Sequence, residues 1–322
     1  MAVVKVVVTG GAGFIGANLC RQLEVTDAIT EVIAYDDLST GSRTNLAHCG
    51  SVRLVEGDVV DGDSLAEVLA GASAVVHLAA RPSVPKSIQD PMASHHVNAT
   101  GTLSVLEAMR YAGVAHVVVA SSSSVYGANP VLPKVETLKA APVSPYAVSK
   151  LATESYALAY GACFGFVPLA LRFFNVFGPL QAAGHAYAAV VPAFVDAALA
   201  GRPLPVYGDG TQTRDFTFVD SVTAMITRAV LERLGHPEPV NLAFGTRVSL
   251  LELITVIEDV LGHRLERELR PPRPGDVRDS QADTERLAKL VPGLEPFPLR
   301  TGIERTVDWF RSIEAPMPPP GW

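Results

Sequence analysis

Up to residue 173 the chain is punctuated by short apolar runs: Lys5–Val8, Val32–Tyr35, Val52–Glu56, Ala74–His77, Val117–Ala120 and Leu169–Phe173. Between them, Ile15–Glu24, Leu65–Leu69 and Gly101–Tyr111 carry apolar residues at helical spacing. Runs that do not alternate with polar residues predict strands buried on both faces. Their alternation with helices predicts crossovers between parallel strands. The pattern specifies an α/β fold, a Rossmann-type doubly wound parallel sheet. After Gly178 the rhythm breaks at Pro179, Pro192, Pro203 and Pro205, and Ser249 with Glu252 then opens Leu250–Leu261 as a capping-box helix. We expect a larger first domain over 1–175, to which 218–245 return. A smaller, mostly C-terminal α/β substrate domain is expected over 176–217 and 246–322, with a fraying tail at Pro316–Pro320.

The first strand runs into V-T-G-G-A-G-F-I-G. A glycine cluster needs either unusual backbone angles or a close neighbour. Strand, glycine turn and helix in this order bring a pyrophosphate against the backbone at a helix N-terminus, the arrangement of a dinucleotide site. Gly10, Gly13 and Gly16, with Phe14 and Ile15 opening the helix, are the expected contacts. Asp36 ends the second strand twenty residues past Gly16, where a carboxylate accepts bonds from ribose hydroxyls and repels a 2′-phosphate. The cofactor indicated is NAD rather than NADP. Asp58 and Val59, after the third strand, are placed to meet the adenine, although Asp58 also reads as an ordinary loop acid.

Composition narrows the classes. The 322 residues are 48% hydrophobic and 18% charged, enough for a substantial core. A net charge of −7 argues against nucleic acid as a partner. Cys20, Cys49 and Cys163 are far apart without C-x-x-C spacing, so a reducing compartment is expected. No apolar stretch suggests a leader or a membrane span. The expectation is a cytoplasmic protein without membrane partners.

Candidate chemistry follows from P-Y-A-V-S-K, which sets Tyr146 and Lys150 one helical turn apart on one face. A phenol ionises near pH 10, and a neighbouring ammonium favours the phenolate. The spacing predicts that Lys150 lowers the Tyr146 pKa; alone, it also fits an ordinary surface pair. Ser121–Ser124 end the strand Val117–Ala120 at the edge where open parallel sheets bind ligands. Ser122 is expected to share a sugar hydroxyl proton with Tyr146, the other serines being partly caps.

V-T-G-G-A-G-F-I-G, H-L-A-A, S-S-S-S-V-Y-G, S-P-Y-A-V-S-K and L-R-F-F-N-V-F-G-P, in that order, resemble the extended short-chain dehydrogenase/reductase superfamily over residues 3 to about 310. Within its NAD-dependent epimerase/dehydratase family the chain is most similar to UDP-glucose and UDP-N-acetylglucosamine 4-epimerases. The resemblance implies catalytic roles for Ser122, Tyr146 and Lys150. It implies cofactor contacts at Asp37, at Leu78, Ala79 and Ala80 of H-L-A-A, and at Asn98, which steadies the lysine helix. It implies substrate contacts at Ser122, Ser123, Asn175, Val191 in A-Y-A-A-V-V-P-A-F, Tyr207, Arg214, Arg273, Asp276 and Arg278. It also implies a homodimer, formed through the Y-x-x-x-K helix and its neighbour near Gly101–Tyr111.

Other positions refine the resemblance. Ser280 stands where epimerases that accept N-acetylhexosamines keep a small residue. The loop Leu180–His185 departs from the family's R-Q-D-P-N, and His185 reads as a solvent-facing residue. His95 and His96 lack a ligand cluster, so no metal is expected. The implied reaction is 4-epimerisation of a UDP-hexose or UDP-N-acetylhexosamine through a transient 4-keto sugar. The alternatives are a UDP- or dTDP-hexose(amine) dehydratase and a UDP-glucuronate 4-epimerase. Dehydratases carry an Asp-Glu pair after the catalytic Thr, where this chain has Ser123 and Ser124.

Overall fold

The computed structural model describes residues 4–183, 188–271 and 277–314. His185, Arg273, Asp276 and the tail Pro316–Pro320 lie outside the described residues. Seven parallel strands form the central sheet: β1 (Lys5–Thr9), β2 (Glu31–Asp36), β3 (Arg53–Glu56), β4 (Ala74–His77), β5 (His116–Ser122), β6 (Val167–Phe173) and β7 (Val240–Leu242). Their order is β7-β6-β5-β4-β1-β2-β3, so the chain winds outward from β1, returns to β4 and winds the other way. The six apolar runs became strands with ends shifted by at most two residues. β7 is a three-residue edge strand that no apolar run announced.

Among the described residues, eight helices of eight residues or more accompany the sheet: α1 (Phe14–Glu24), α2 (Gly62–Leu69), α3 (Gly101–Ala112), α4 (Pro145–Phe164), α5 (Val190–Leu199), α6 (Val219–Leu231), α7 (Leu250–Leu261) and α8 (Leu299–Glu314). Alternate strand residues serve opposite faces. Val6, Val8, Val118 and Leu171 pack with α1 and α6, whereas Val7, Ile33, Val117 and Ala170 pack with α2, α3 and α4. Burial on both faces accounts for the unbroken apolar runs.

A second core joins Phe177, Phe194, Val206, Phe218, Ile254 and Ile303, from α5, α7, α8 and the short strands around them. The parallel strands Asn175–Phe177 and Phe216–Phe218 stand between the two cores. α7 starts as its sequence predicts: Ser249 Oγ accepts from the Glu252 N–H (3.1 Å), and Glu252 Oε2 accepts from the Ser249 N–H (2.7 Å). Among the described residues, no helix is long and apolar enough to cross a membrane.

Candidate active site

A cleft of about 770 Å³ opens at the carboxyl ends of β1, β2, β4 and β5, where the strand order reverses. Gly10, Gly13, Phe14, Ile15 and Gly16 form its floor. Gly10 turns the chain at φ +70°, and a Cβ there would stand 2.7 Å from the Ala79 nitrogen. A Cβ on Gly16 would stand 2.0 Å from the Gly10 carbonyl oxygen, so the third glycine lets α1 meet the turn. Gly13, by contrast, faces the cleft and caps α1 without a side-chain hydrogen bond. The positive end of α1 is therefore open to the cleft.

Asp36 is buried at the end of β2. Its Oδ2 accepts from the Ala12 N–H and its Oδ1 from the Leu38 N–H, both at 2.9 Å. Burial pushes its pKa up, and these backbone donors oppose the shift. Asp37, Asp58, Val59, Leu78, Ala79 and Ala80 line the same cleft. The residues fit a dinucleotide: a helix N-terminus and bare glycine stand ready for a pyrophosphate, and the Asp36 carboxylate, suited to ribose hydroxyls, lines the same cleft. Two neighbouring acids, Asp36 and Asp37, oppose a 2′-phosphate.

Ser122, Tyr146 and Lys150 line this cleft as well. α4 is started by Ser144, whose Oγ accepts from the Ala147 N–H (3.2 Å), and by Pro145 at its first turn. Tyr146 thus falls in the first turn and Lys150 in the second. Burial raises the Tyr146 pKa, and its hydrogen bond with Ser122 opposes that rise. Of these two effects burial is the larger. Lys150 Nζ donates to the Ala120 carbonyl (2.8 Å), and burial brings its own pKa down to about 8.

The serine run divides by partner. Ser121 Oγ donates to Glu154 Oε2 (2.8 Å), while Ser122 Oγ accepts from both the N–H (3.2 Å) and the hydroxyl (2.9 Å) of Ser124. With those bonds accepted, the Ser122 proton is left for Tyr146 or a ligand. Ser123 and Ser124 line neither this cleft nor the cavity beside it. Asn98 sits behind the wall, in a π-helical turn, His96–Thr100. Its Nδ2 donates to Ser149 Oγ (2.9 Å) and its carbonyl accepts from Thr153 (3.0 Å), both on α4. His77 is buried beside it, bonded to Thr9 (2.7 Å) and Thr102 (3.0 Å).

The adjoining cavity, about 400 Å³, shares Val176 with the cleft. Asn175, Val191, Tyr207 and Arg214 line it over an apolar floor that includes Phe177 and Phe194. Arg214 is buried, and its Nη1 donates to the Thr213 (2.8 Å) and Arg278 (2.9 Å) carbonyls. The Arg278 side chain is exposed and lines neither cavity; its Nη2 donates to Thr211 Oγ1 (3.2 Å). Ser280 also lines neither. Sequence reasoning passed over Arg81, Lys86 and Gln181 on the cleft, and Ser83 and Gln212 on the cavity. Arg81 and Lys86 had a signal, as the first cations beyond H-L-A-A, and Gln181 had one in its place on the loop Leu180–His185; Ser83 and Gln212 had none.

The model of the NAD dependent epimerase/dehydratase family matches residues 6–243. A UDP-glucose 4-epimerase of Mycolicibacterium smegmatis is 40% identical over 315 residues, covering 96% of this chain and 99% of that one. The UDP-N-acetylglucosamine 4-epimerase from Methanobrevibacter ruminantium M1, solved with UDP-N-acetylmuramic acid, superposes with a TM-score of 0.91. It is 34% identical, over 97% of this chain and 100% of that one. A dTDP-glucose 4,6-dehydratase from Streptomyces venezuelae, solved with NAD, gives 0.86 at 32% identity, over 96% and 97%.

Proposed function

Because the chain belongs to the NAD dependent epimerase/dehydratase family, we propose that it is an NAD-dependent UDP-sugar 4-epimerase, with UDP-glucose and UDP-N-acetylglucosamine as substrates. The observation that carries this reading is the Ser122–Tyr146 pair, which lines with Lys150 the same cleft as the glycine turn. Bound NAD supplies a reversible hydride acceptor for the sugar C4. Tyr146 takes the O4 proton, Ser122 turns its one free O–H to the phenolate as it forms, and the Lys150 cation favours the ionised phenol once charge develops. Asp36 and Asp37 select the ribose. Asn175, Val191, Tyr207 and Arg214 hold the nucleotide diphosphate, Arg214 through its planar fork. Once the 4-keto sugar has turned its opposite face to the cofactor, Tyr146 would give its proton back to O4 as C4 regains its hydrogen, which inverts C4.

Dehydration needs in addition a base and an acid at C5 and C6. The two positions that carry them in dehydratases are Ser123 and Ser124, which line neither cavity. Epimerisation is therefore favoured. The exposed Tyr111, Val148, Tyr156 and Phe164 give α3 and α4 an apolar outer face, which supports a homodimer through these helices. A cytoplasmic location agrees with the three free thiols of Cys20, Cys49 and Cys163.

The test is NMR of the NAD-loaded enzyme with UDP-glucose, UDP-N-acetylglucosamine and UDP-glucuronate in deuterated water. A galacto-configured product without deuterium at C5 is expected from the first two. Deuterium at C5, vinyl signals, or no turnover would refute the proposal, and turnover of the glucuronate alone would reassign the sugar.

A further inference from the structure

Beneath the reacting end of β5 lies an ion pair that the mechanism above does not use. Glu154 and Arg172 are each 4% exposed and meet through two parallel bonds: Arg172 Nε to Glu154 Oε2 (2.9 Å) and Nη2 to Oε1 (2.7 Å). Burying both charges is expensive, and apolar residues of similar size commonly serve a core as well or better. Stability alone is thus a weak reason for the pair. Its connections suggest another.

Glu154 lies on α4 four residues beyond Lys150, hence on the same face as Tyr146 and Lys150. Its Oε2 also accepts the Ser121 hydroxyl (2.8 Å), and Ser121 directly precedes Ser122. Lys150 binds the Ala120 carbonyl, so α4 grips the last turnings of β5 twice, just before the reacting serine. Arg172 faces Ser121 across the β5–β6 register. Its guanidinium lies 4.7 Å over the Tyr126 ring, at the far end of the turn that Ser122 caps. Tyr126 in turn donates to Asn241 Oδ1 of β7 (2.6 Å).

We propose that Glu154 and Arg172 are positioning residues, which clamp the end of β5 to α4 through Ser121 and so fix Ser122 against Tyr146. The clamp rests on the catalytic reading above. It acts on the proton-transfer geometry: neither charged residue lines the cleft or the cavity, and of the three only Ser121, held by Glu154, stands in the cleft wall.

Ser121→Ala removes the link and leaves no charge unpaired. In the NAD-loaded enzyme it should fold with a Tm near wild type, keep KM within about twofold and lose kcat by roughly ten- to a hundredfold, as expected for a misplacement of about 1 Å. Ser121→Thr, which keeps the donor, should recover most of the loss. Single changes at Glu154 or Arg172 strand a buried charge, so the pair is replaced together by Glu154→Leu with Arg172→Met. That variant should fold, with kcat reduced as in Ser121→Ala, and adding Ser121→Ala to it should reduce kcat little further. Undiminished kcat in the folded variants, or fully multiplicative losses, would overturn the proposal. Should wild type turn over none of the sugars, the reading of function falls and crystals of the NAD-bound Ser121→Ala variant judge the clamp. Displacement of Ser122 from Tyr146 upholds it; an unmoved Ser122 overturns it.

Discussion

Two glycines of one turn are expected to fail in different ways when each becomes alanine. At Gly16 the new methyl would stand 2.0 Å from the Gly10 oxygen, against a practical limit of 3.0 Å, so α1 and the turn must separate by about 1 Å. Overpacking of that kind costs roughly 3 kcal/mol, and the better helix propensity of alanine returns about 1. The net loss of about 2 kcal/mol lowers Tm by roughly 4–8 °C in a domain of this size. At Gly13 the methyl meets protein only at 3.2 Å, so the fold should lose less than about 1 kcal/mol. There the methyl occupies the approach to the helix N-terminus instead. Losing one charge-assisted bond to a phosphate costs about 1.5–3 kcal/mol, which weakens NAD roughly ten- to a hundredfold. Scanning fluorimetry on nucleotide-free protein separates the two effects. NAD at a hundred times the wild-type Kd should add about 2.7 kcal/mol to wild type but only about 0.4 to a variant bound a hundredfold more weakly. Gly62, with open space around it, is the control and should tolerate alanine. A Gly13→Ala protein with the full NAD shift, or a Gly16→Ala protein as stable as wild type, would refute the assignment of ligand and packing roles.

Tyr146→Phe should bind NAD normally and lose turnover by roughly 10²–10⁴-fold, the usual contribution of a positioned acid–base group; single-turnover rates check this. Burial and the Lys150 charge bring the His77 pKa down to about 3 from 6.5. Between those values the unfolded chain takes up a proton that the folded chain refuses. Stability should therefore fall as pH drops through this window, by at most about 1.4 kcal/mol per unit from this group, and urea titrations of His77→Gln should show a shallower decline. Val148→Glu with Tyr156→Glu should convert particles of twice the 34.0 kDa chain mass into single chains on sedimentation, if α3 and α4 form the dimer contact.

Much of this molecule is legible where one physical constraint dominates. Strands β1, β2, β4, β5 and β6 are buried on both sides and therefore almost wholly apolar, which marks them in the sequence within two residues, whereas β3 is an edge strand with Arg53 and Glu56 exposed and Leu54 and Val55 half-buried. β7 lacks that mark because its middle residue, Asn241, serves a polar network, bonding Tyr126 and the Lys134 carbonyl (2.7 Å). Spacing puts Tyr146 and Lys150 on one face but carries no measure of depth, so it missed the desolvation that opposes ionisation of the phenol. Glu154 and Arg172 are ordinary letters in a helix and a strand. Only the folded register shows that they face each other behind Ser121.

The helix that covers α1 is α6, whose Val222, Met225, Ile226 and Ala229 lie in the same core as Ala17, Leu19 and Leu23. During synthesis on the ribosome, β1–β6 and the helices of the opposite face are complete by residue 173. One face of the sheet, including Val6, Val8 and Leu171, has no α6 to cover it until about sixty more residues have been added. The nascent protein thus carries the part of this face that α1 does not reach uncovered while residues 174–218 are being made. That interval is when a chaperone has most to hold.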